Sequence, residues 1–218
     1  DRQDTAFSAL KAEQVDWDAA FEGVSWFHVS GITPAISASA RDLCEAALRQ
    51  AKSRGLHISL DLNHRQRLWQ YGLDATDVMP SLTTYADTLI AGRGDCLACL
   101  GFSPDGDGST HDWYEELSAE VMKRFPNLSR VAVTIRNSSS ADCHKWAAHL
   151  RTKDGSLFSK QYHLHNVVDR VGTGDAFAAG LIYGLINGMT NEDALQFGAA
   201  ANALKHTIVG DTNMVTVE

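Results

Sequence analysis

Blocks of apolar residues, separated by polar and glycine-rich breaks, run along the chain, and each block predicts an element. Ser25-Trp26-Phe27-His28-Val29-Ser30-Gly31 is aromatic and β-branched and ends in glycine, so it reads as a strand. Gly31-Ile32-Thr33-Pro34 reads as a turn. Apolar positions Leu43, Ala46, Ala47 and Leu48 follow, predicting a helix from about Ser37 to Ser53 that stops near Gly55. His57-Ile58-Ser59-Leu60-Asp61-Leu62 is the next strand. A strand, a helix and a strand in that order imply a crossover and a parallel pair. Thr88-Leu89-Ile90-Ala91 predicts another strand, and Trp113 to Phe125 a helix ended by Pro126. Arg130 to Ile135 predicts a strand with a polar exit, residues 136–140. Trp146 to Leu150 and Leu157 to Leu164, joined by Lys153-Asp154-Gly155, read as a hairpin. A proline-free run of small and apolar residues to Ile186 reads as a buried helix, and Asn191 is placed as the cap of a last helix to about His206. The opening, Asp1 to Leu10, is polar, with no initiator Met and no first strand, so the chain is expected to begin partway through its fold.

The break with the most chemical content is Val168-Asp169-Arg170-Val171-Gly172-Thr173-Gly174-Asp175, directly before the buried helix. Gly172 and Gly174 permit positive φ angles and close approaches. Main-chain N–H groups of residues 172–175 should converge at a helix N-terminus, which is an anion site. Asp175 repels phosphate, so it is out of place in a loop that only holds phosphate. It fits a site where a hydroxyl loses its proton as a phosphoryl group arrives. The bare pattern is equally an αL turn with an aspartate cap. A dinucleotide fingerprint fits poorly, because Phe177 stands where Gly-x-Gly-x-x-Gly needs its last glycine.

Composition narrows the classes. The 218 residues suit one domain, or one with a small addition, and the net charge of -8 without a long basic run argues against nucleic-acid binding. No apolar run is long enough to span a bilayer, and no secretory signal is visible, so no membrane is expected. Four cysteines, Cys44, Cys96, Cys99 and Cys143, suit a reduced, cytoplasmic protein. Cys96-x-x-Cys99 lacks a second pair at zinc spacing and reads as two unbridged thiols. The histidines show no metal spacing, and the Gly/Asp/Ser-rich loop of residues 102–111 lacks the glutamate of a calcium loop.

Asp169 to Gly180, Asp-Arg-Val-Gly-Thr-Gly-Asp-Ala-Phe-Ala-Ala-Gly, resembles the C-terminal signature of the ribokinase-like (PfkB-type) sugar kinases. The resemblance implies that Asp175 is the catalytic base and that Gly172, Thr173 and Gly174 form an anion hole for the transferred phosphate. Asp61-x-Asn63-x-Arg65-x-x-Leu68-Trp69 is similar to a segment of the 2-keto-3-deoxygluconate kinases, a branch of that family. There it lies near the nucleotide phosphates and the acidic sugar, which implies those roles for Asn63 and Arg65. The same branch is resembled by Asn202-x-x-Lys205-His206-Thr207-x-x-x-Gly210-Asp211, implying a nucleotide contact at Asn202 and a sugar contact at Asp211. Arg2 with residues 5–8 resembles the segment that reaches the sugar carboxylate, and the exit at Arg136 is one that approaches the nucleotide. Where the family has Asn-x-x-Glu, tied to magnesium, this chain has Gly92-Arg93-Gly94-Asp95, leaving Asp95 as the metal candidate, mostly through water.

The resemblance implies an α/β fold: a three-layer ribokinase-like sandwich with a central, mostly parallel sheet. Residues 1–218 are then one kinase domain lacking its N-terminal third and small β lid. The implied activity is transfer of the ATP γ-phosphate, with Mg2+, to the terminal hydroxyl of 2-keto-3-deoxygluconate or a similar acidic sugar, in a homo-oligomer. Substrate would meet Arg2, Arg65, Asp175 and Asp211, with arginines matching its carboxylate bidentately. Arg170 is a further phosphate candidate. The alternatives are a fructokinase or ribokinase type, or a catalytically silent nucleotide-binding relative.

Overall fold

Two short helices, α1 (Ala6–Ala9) and α2 (Trp17–Ala20), precede the first strand, β1 (Trp26–Ser30). The computed structural model describes residues 5–138 and 143–217, which fall into two compact units, residues 1–131 and 132–218.

In the first unit, β1 leads into α3 (Ile32–Ile36), α4 (Ala38–Ser53), β2 (His57–Asp61), α5 (Ala75–Thr83), β3 (Thr88–Gly92), α6 (Asp95–Leu100) and α7 (His111–Arg124). β1 pairs with β2 in parallel, with Ser30 opposite Asp61, and β2 pairs with β3 in parallel, with Asp61 opposite Ile90. The strand–helix–strand pattern therefore gives the expected crossover. Ser37 caps α4 by accepting from the Ala40 N–H at 3.0 Å, and Ala40, Leu43, Cys44, Leu48 and Ala51 form its buried stripe. Ile58, Ser59, Leu60 and Asp61 are all buried, because a central parallel strand is covered on both faces. Burying each large aliphatic side chain here contributes ~1.5–3 kcal/mol relative to exposure.

Two expectations change in this unit. Residues 31–34 are not only a turn: Ile32 starts the one-turn helix α3. Pro34 sits within its first turn, where its missing N–H costs no bond. Helix α5, which no apolar pattern announced, carries Pro80 inside it. Its start is fixed by Asp74 and Asp77, and the Asp74 N–H donates to Asp77 Oδ2 at 2.8 Å.

The next strand, β4 (Arg130–Ser138), runs on from the first unit into the second and extends past Ile135. The second unit continues with β5 (Cys143–Thr152), β6 (Gly155–Phe158), β7 (Tyr162–His165), α8 (Thr173–Ile186) and α9 (Asn191–Lys205). The predicted hairpin is present, but its second arm is broken. His149 faces Phe158 and Trp146 faces Tyr162, so residues 159–161 stand opposite only residues 147–148. That is a bulge. Ser159 fills it: its N–H donates to the Ala148 carbonyl at 2.8 Å, and its Oγ accepts from the Ala148 N–H at 2.9 Å.

Helices α8 and α9 pack with almost no side chain between them. A Cβ on Gly180 would lie 2.8 Å from Gly198 Cα, and one on Gly184 would lie 2.8 Å from Ala194 Cβ. The cap of α9 is Thr190 rather than Asn191, its hydroxyl accepting from the Asp193 N–H at 3.1 Å. Asn191 is the first helical residue.

Candidate functional site

In the second unit, the chain enters α8 through Gly172, whose φ of 73° is left-handed. A Cβ there would also run into the Asp211 carbonyl. Only glycine fits, since φ and space both exclude a side chain. Gly174 is different from what the pattern suggested. It has ordinary helical φ, and a Cβ on it would meet nothing within 4 Å. The strain of the loop sits at Gly172 alone.

Helix α8 begins without a side-chain cap, and the N–H groups of Thr173, Gly174 and Asp175 have no acceptor among the described residues. Such orphan donors at a helix start, with the positive end of the helix dipole, favour an anion. Asp175 is the third helical residue, not the cap. Its carboxylate is exposed and makes no hydrogen bond among the described residues. A carboxylate held at a helix start with no internal partner can accept a proton from an incoming hydroxyl.

The loop is fastened from several sides. The Asp169 carboxylate accepts from the N–H groups of Arg170 at 2.6 Å, Val171 at 3.0 Å and Gly210 at 2.8 Å. Those bonds, the Val171 and Gly210 donors foremost, hold its pKa below the ordinary carboxylate value. The Thr173 hydroxyl donates to the Arg170 carbonyl at 3.0 Å. Beneath the loop, buried Asn202 donates from Nδ2 to the Thr173 carbonyl at 2.7 Å. His206 Nδ1 lies 2.8 Å from the Asn202 carbonyl, and the His206 carbonyl accepts from the Val168 N–H at 2.9 Å. Burial lowers the His206 pKa, so the ring is neutral near pH 7. Arg170 and Asp211 are exposed at the same loop. Arg136, on β4, is partly buried, and its Nε and Nη2 are buried without a hydrogen-bond partner among the described residues.

In the first unit, Asn63 follows β2 with a φ of 36°, its N–H on Asp61 Oδ1 at 3.1 Å and its Nδ2 on Ser30 Oγ at 3.1 Å. Arg65 is exposed, with Nη1 on the His64 carbonyl at 3.0 Å. Beside it lies a cavity of about 440 Å3, lined by His64, Gln66, Trp69, Asp74 and Thr76 among others; Trp69 is half-buried, and its Nε1 has no hydrogen-bond partner among the described residues. Asp95 opens α6 and accepts from the Gly92 N–H at 2.6 Å through Oδ2. Cys44, Cys96 and Cys99 are free, and burial pushes the Cys44 and Cys99 thiols up to about 12. No group of three His, Cys, Asp or Glu side chains among the described residues could hold a metal ion.

Of the residues singled out from sequence, Gly172, Thr173, Gly174, Asp175, Asn202 and Asp211 thus gather at one loop. Asn63 and Arg65 share the exit of β2. Arg2 lies outside the described residues. Asp169, His206 and Ser30 were not singled out for a role. Asp169 had a local signal, since aspartate bonds the N–H groups just after it in turns. Its bond to Gly210, and the burial of His206, had none.

Comparison with known proteins adds the family. The chain is 34% identical to 2-dehydro-3-deoxygalactonokinase of Haloferax volcanii over 216 residues, 99% of this chain and 62% of the relative. The crystal structure of 2-dehydro-3-deoxygluconokinase from Thermotoga maritima superposes with a TM-score of 0.90 at 38% identity, covering 97% of this chain and 64% of that one. An E. coli structure provisionally named ribokinase II, in complex with ATP and Mg2+, shares the fold, with a TM-score of 0.69 at 21% identity over 97% of this chain and 61% of that one. The chain therefore has a ribokinase-like α/β fold with a mostly parallel central sheet, and it spans roughly three-fifths of the length of these relatives. Among the described residues no helix is long and apolar enough to cross a membrane. The model of the pfkB family carbohydrate kinases matches residues 1–217, and the chain belongs to that family.

Proposed function

We propose that this protein transfers the γ-phosphate of ATP to the terminal hydroxyl of 2-keto-3-deoxygluconate or a similar acidic sugar. The observation that carries the reading is the start of α8: three N–H groups beside an exposed Asp175 carboxylate, none of them paired among the described residues. The relatives named for dehydro-deoxy sugar acids support the substrate class.

In this mechanism Asp175 accepts the proton of the sugar hydroxyl as its oxygen attacks the γ-phosphorus. The bond from that phosphorus to the bridging oxygen breaks, and ADP leaves with the bond's electron pair. The N–H groups of Thr173, Gly174 and Asp175 receive the charge that builds on the equatorial oxygens, where fixed dipoles act without reorganising. Asn63, Arg65 and Arg136 are the nucleotide-side candidates, and Arg136 brings to that role two buried nitrogens with no partner among the described residues. Asn202 acts on the nucleotide only through the loop it supports. Arg2 and Arg65 would pair with the sugar carboxylate, and Asp211 would accept from its hydroxyls. The residues fit a magnesium ion that arrives with the nucleotide: no three-ligand cage exists among the described residues, and magnesium commonly takes one or two carboxylates plus phosphate oxygens and water. When bound, it neutralises phosphate charge. Asp95 has its second oxygen to offer it. The three free buried thiols suit a reducing compartment such as the cytoplasm.

The test is ADP release by the intact protein with 2-keto-3-deoxygluconate, fructose and ribose, each with ATP and Mg2+. Turnover that prefers the acidic sugar is expected. Preference for a neutral sugar would reassign the substrate, and nucleotide binding without turnover on any sugar would favour a silent relative.

A further inference from the structure

We infer that Asn202 is a positioning residue for the glycine loop: by holding the Thr173 carbonyl, its side chain fixes the direction in which the Gly174 N–H points. The inference rests on the phosphate-holding role proposed above.

The peptide between Thr173 and Gly174 is trans and planar, so its carbonyl and its N–H point in opposite directions. Whatever holds one aims the other. Asn202 Nδ2 holds the Thr173 carbonyl at 2.7 Å from 29 residues away in sequence, on α9. A carbonyl only accepts, so the amide must present its nitrogen here. The opposite end of that peptide, the Gly174 N–H, has no acceptor among the described residues and lies on an exposed residue. One end is thus pinned inside the protein and the other is left for a ligand.

Two observations separate this role from simple packing. Asn202 is 1% exposed, yet its Oδ1 is buried without a partner among the described residues. A leucine of the same size would fill the space without stranding an acceptor, so burial alone gives no reason for an amide. Nor is the bond needed to dock the helices, because Gly180 and Gly198 already bring α8 and α9 into backbone contact. What the amide adds is direction. The backbone that carries the asparagine is itself engaged, since His206 Nδ1 lies 2.8 Å from the Asn202 main-chain carbonyl.

The experiment uses Asn202→Leu, which keeps size and removes the donor, and Asn202→Asp, which keeps shape and sets a carboxylate against the carbonyl. Turnover, sugar KM and thermal midpoint are measured on the intact protein. The Gly174 amide resonance is followed during titration with inorganic phosphate. Asn202→Leu should lower kcat about tenfold or more, a part of the ~10²–10³-fold typical when such a donor is deleted outright. The sugar KM and the thermal midpoint should stay close to wild type, and the phosphate response of Gly174 should shrink. Unchanged kcat with an unchanged Gly174 response overturns the inference, as does a loss of kcat that only follows a loss of folded protein. If Asn202→Leu does not fold, the same readouts on Asn202→Asp decide. In the wild type, phosphate or ADP should shift the Gly174 amide and leave the Asn202 side-chain amide in place; a large shift of the latter puts it on the ligand and overturns the inference. Two controls test the underlying reading itself. If the wild-type Gly174 amide ignores phosphate, or Asp175→Asn keeps full turnover, the phosphate-holding role fails and the inference falls with it. If both controls behave and Asn202→Leu is neutral, only the inference falls.

Discussion

The start of α8 and the exit of β2 both present polar groups after a buried element, but they are built on different terms. At α8 the candidate groups are main-chain donors, and the Asp169 carboxylate and the Asn202 amide fix the loop that carries them. At β2 the candidates are side chains: Asn63 is held by Ser30 Oγ, while Arg65 is exposed with one bond to the adjacent His64 carbonyl. The first is set before any ligand arrives. At the second, Arg65 must be ordered by its ligand, and an arginine carries ~2 kcal/mol of rotamer entropy to lose. A preorganised main-chain site suits a group common to every turnover, the phosphoryl group. A side-chain site suits the part of the substrate that defines its class.

The largest expected effect is at α8. Asp175→Asn should lower kcat by ~10²–10⁴-fold, the usual range for a lost general base. The thermal midpoint should hold, because the carboxylate has no internal partner to lose. Wild-type turnover in this variant, measured as ADP release, would remove Asp175 from the chemistry.

The two glycines of the loop sharpen the same region. Gly172→Ala should destabilise, because a non-glycine residue in left-handed conformation costs of order 1–3 kcal/mol and this one also meets the Asp211 carbonyl. Gly174→Ala should leave the thermal midpoint unchanged or higher, by up to ~1 kcal/mol of helix propensity. Its turnover should still fall, because a methyl group would crowd the anion. A melting series on the two variants checks the first contrast, and kcat the second. Equal melting behaviour would contradict the geometry at Gly172.

The β2 exit should show a smaller effect. A hydrogen bond to a charged group contributes ~1.5–3 kcal/mol, and ordering an exposed arginine takes back part of it. Arg65→Ala should therefore lower kcat/KM for 2-keto-3-deoxygluconate about tenfold, equivalent to ~1.4 kcal/mol, and affect fructose much less. Equal losses on both sugars would mean that Arg65 does not read the carboxylate.

What the sequence could announce follows the same division. The parallel strands were legible because β2 and β3 are buried on both faces, and the loop was legible because glycine and a helix start constrain the backbone locally. Pro34 and Pro80 hid α3 and α5, since proline reads as a breaker unless its position in the helix is known. The pattern permits a positive φ at both Gly172 and Gly174 and cannot say which glycine of the pair bears it; only Gly172 does. The supports were not legible at all. Asp169 to Gly210 spans 41 residues and Asn202 to Thr173 spans 29, and neither pair has a local signature.

The smallest effects come from pH, and they separate the two supports of the loop. His206 is buried as the neutral ring, with the His144 ring on β5, Arg170 on the loop and Lys205 on α9 all opposing a further positive charge. Its folded pKa lies below the ordinary value of 6.5. The unfolded chain therefore binds the proton more readily, and stability from His206 is present above about 6.5 and lost as pH falls from there through the folded value. Asp169 also has a lowered pKa, held down by the N–H groups of Val171 and Gly210. Its contribution is present above the ordinary value of 3.8 and lost only as pH falls below that, through its folded value. Melting curves between pH 7.5 and 5 should thus weaken for wild type and be flatter for His206→Gln, with Asp169→Asn parallel to wild type over that span. Below pH 4 the order should reverse, with Asp169→Asn losing less than wild type. A His206→Gln variant as pH-sensitive as wild type above pH 5 would show that another group drives the change, and the buried layer under the glycine loop would then be indifferent to the proton.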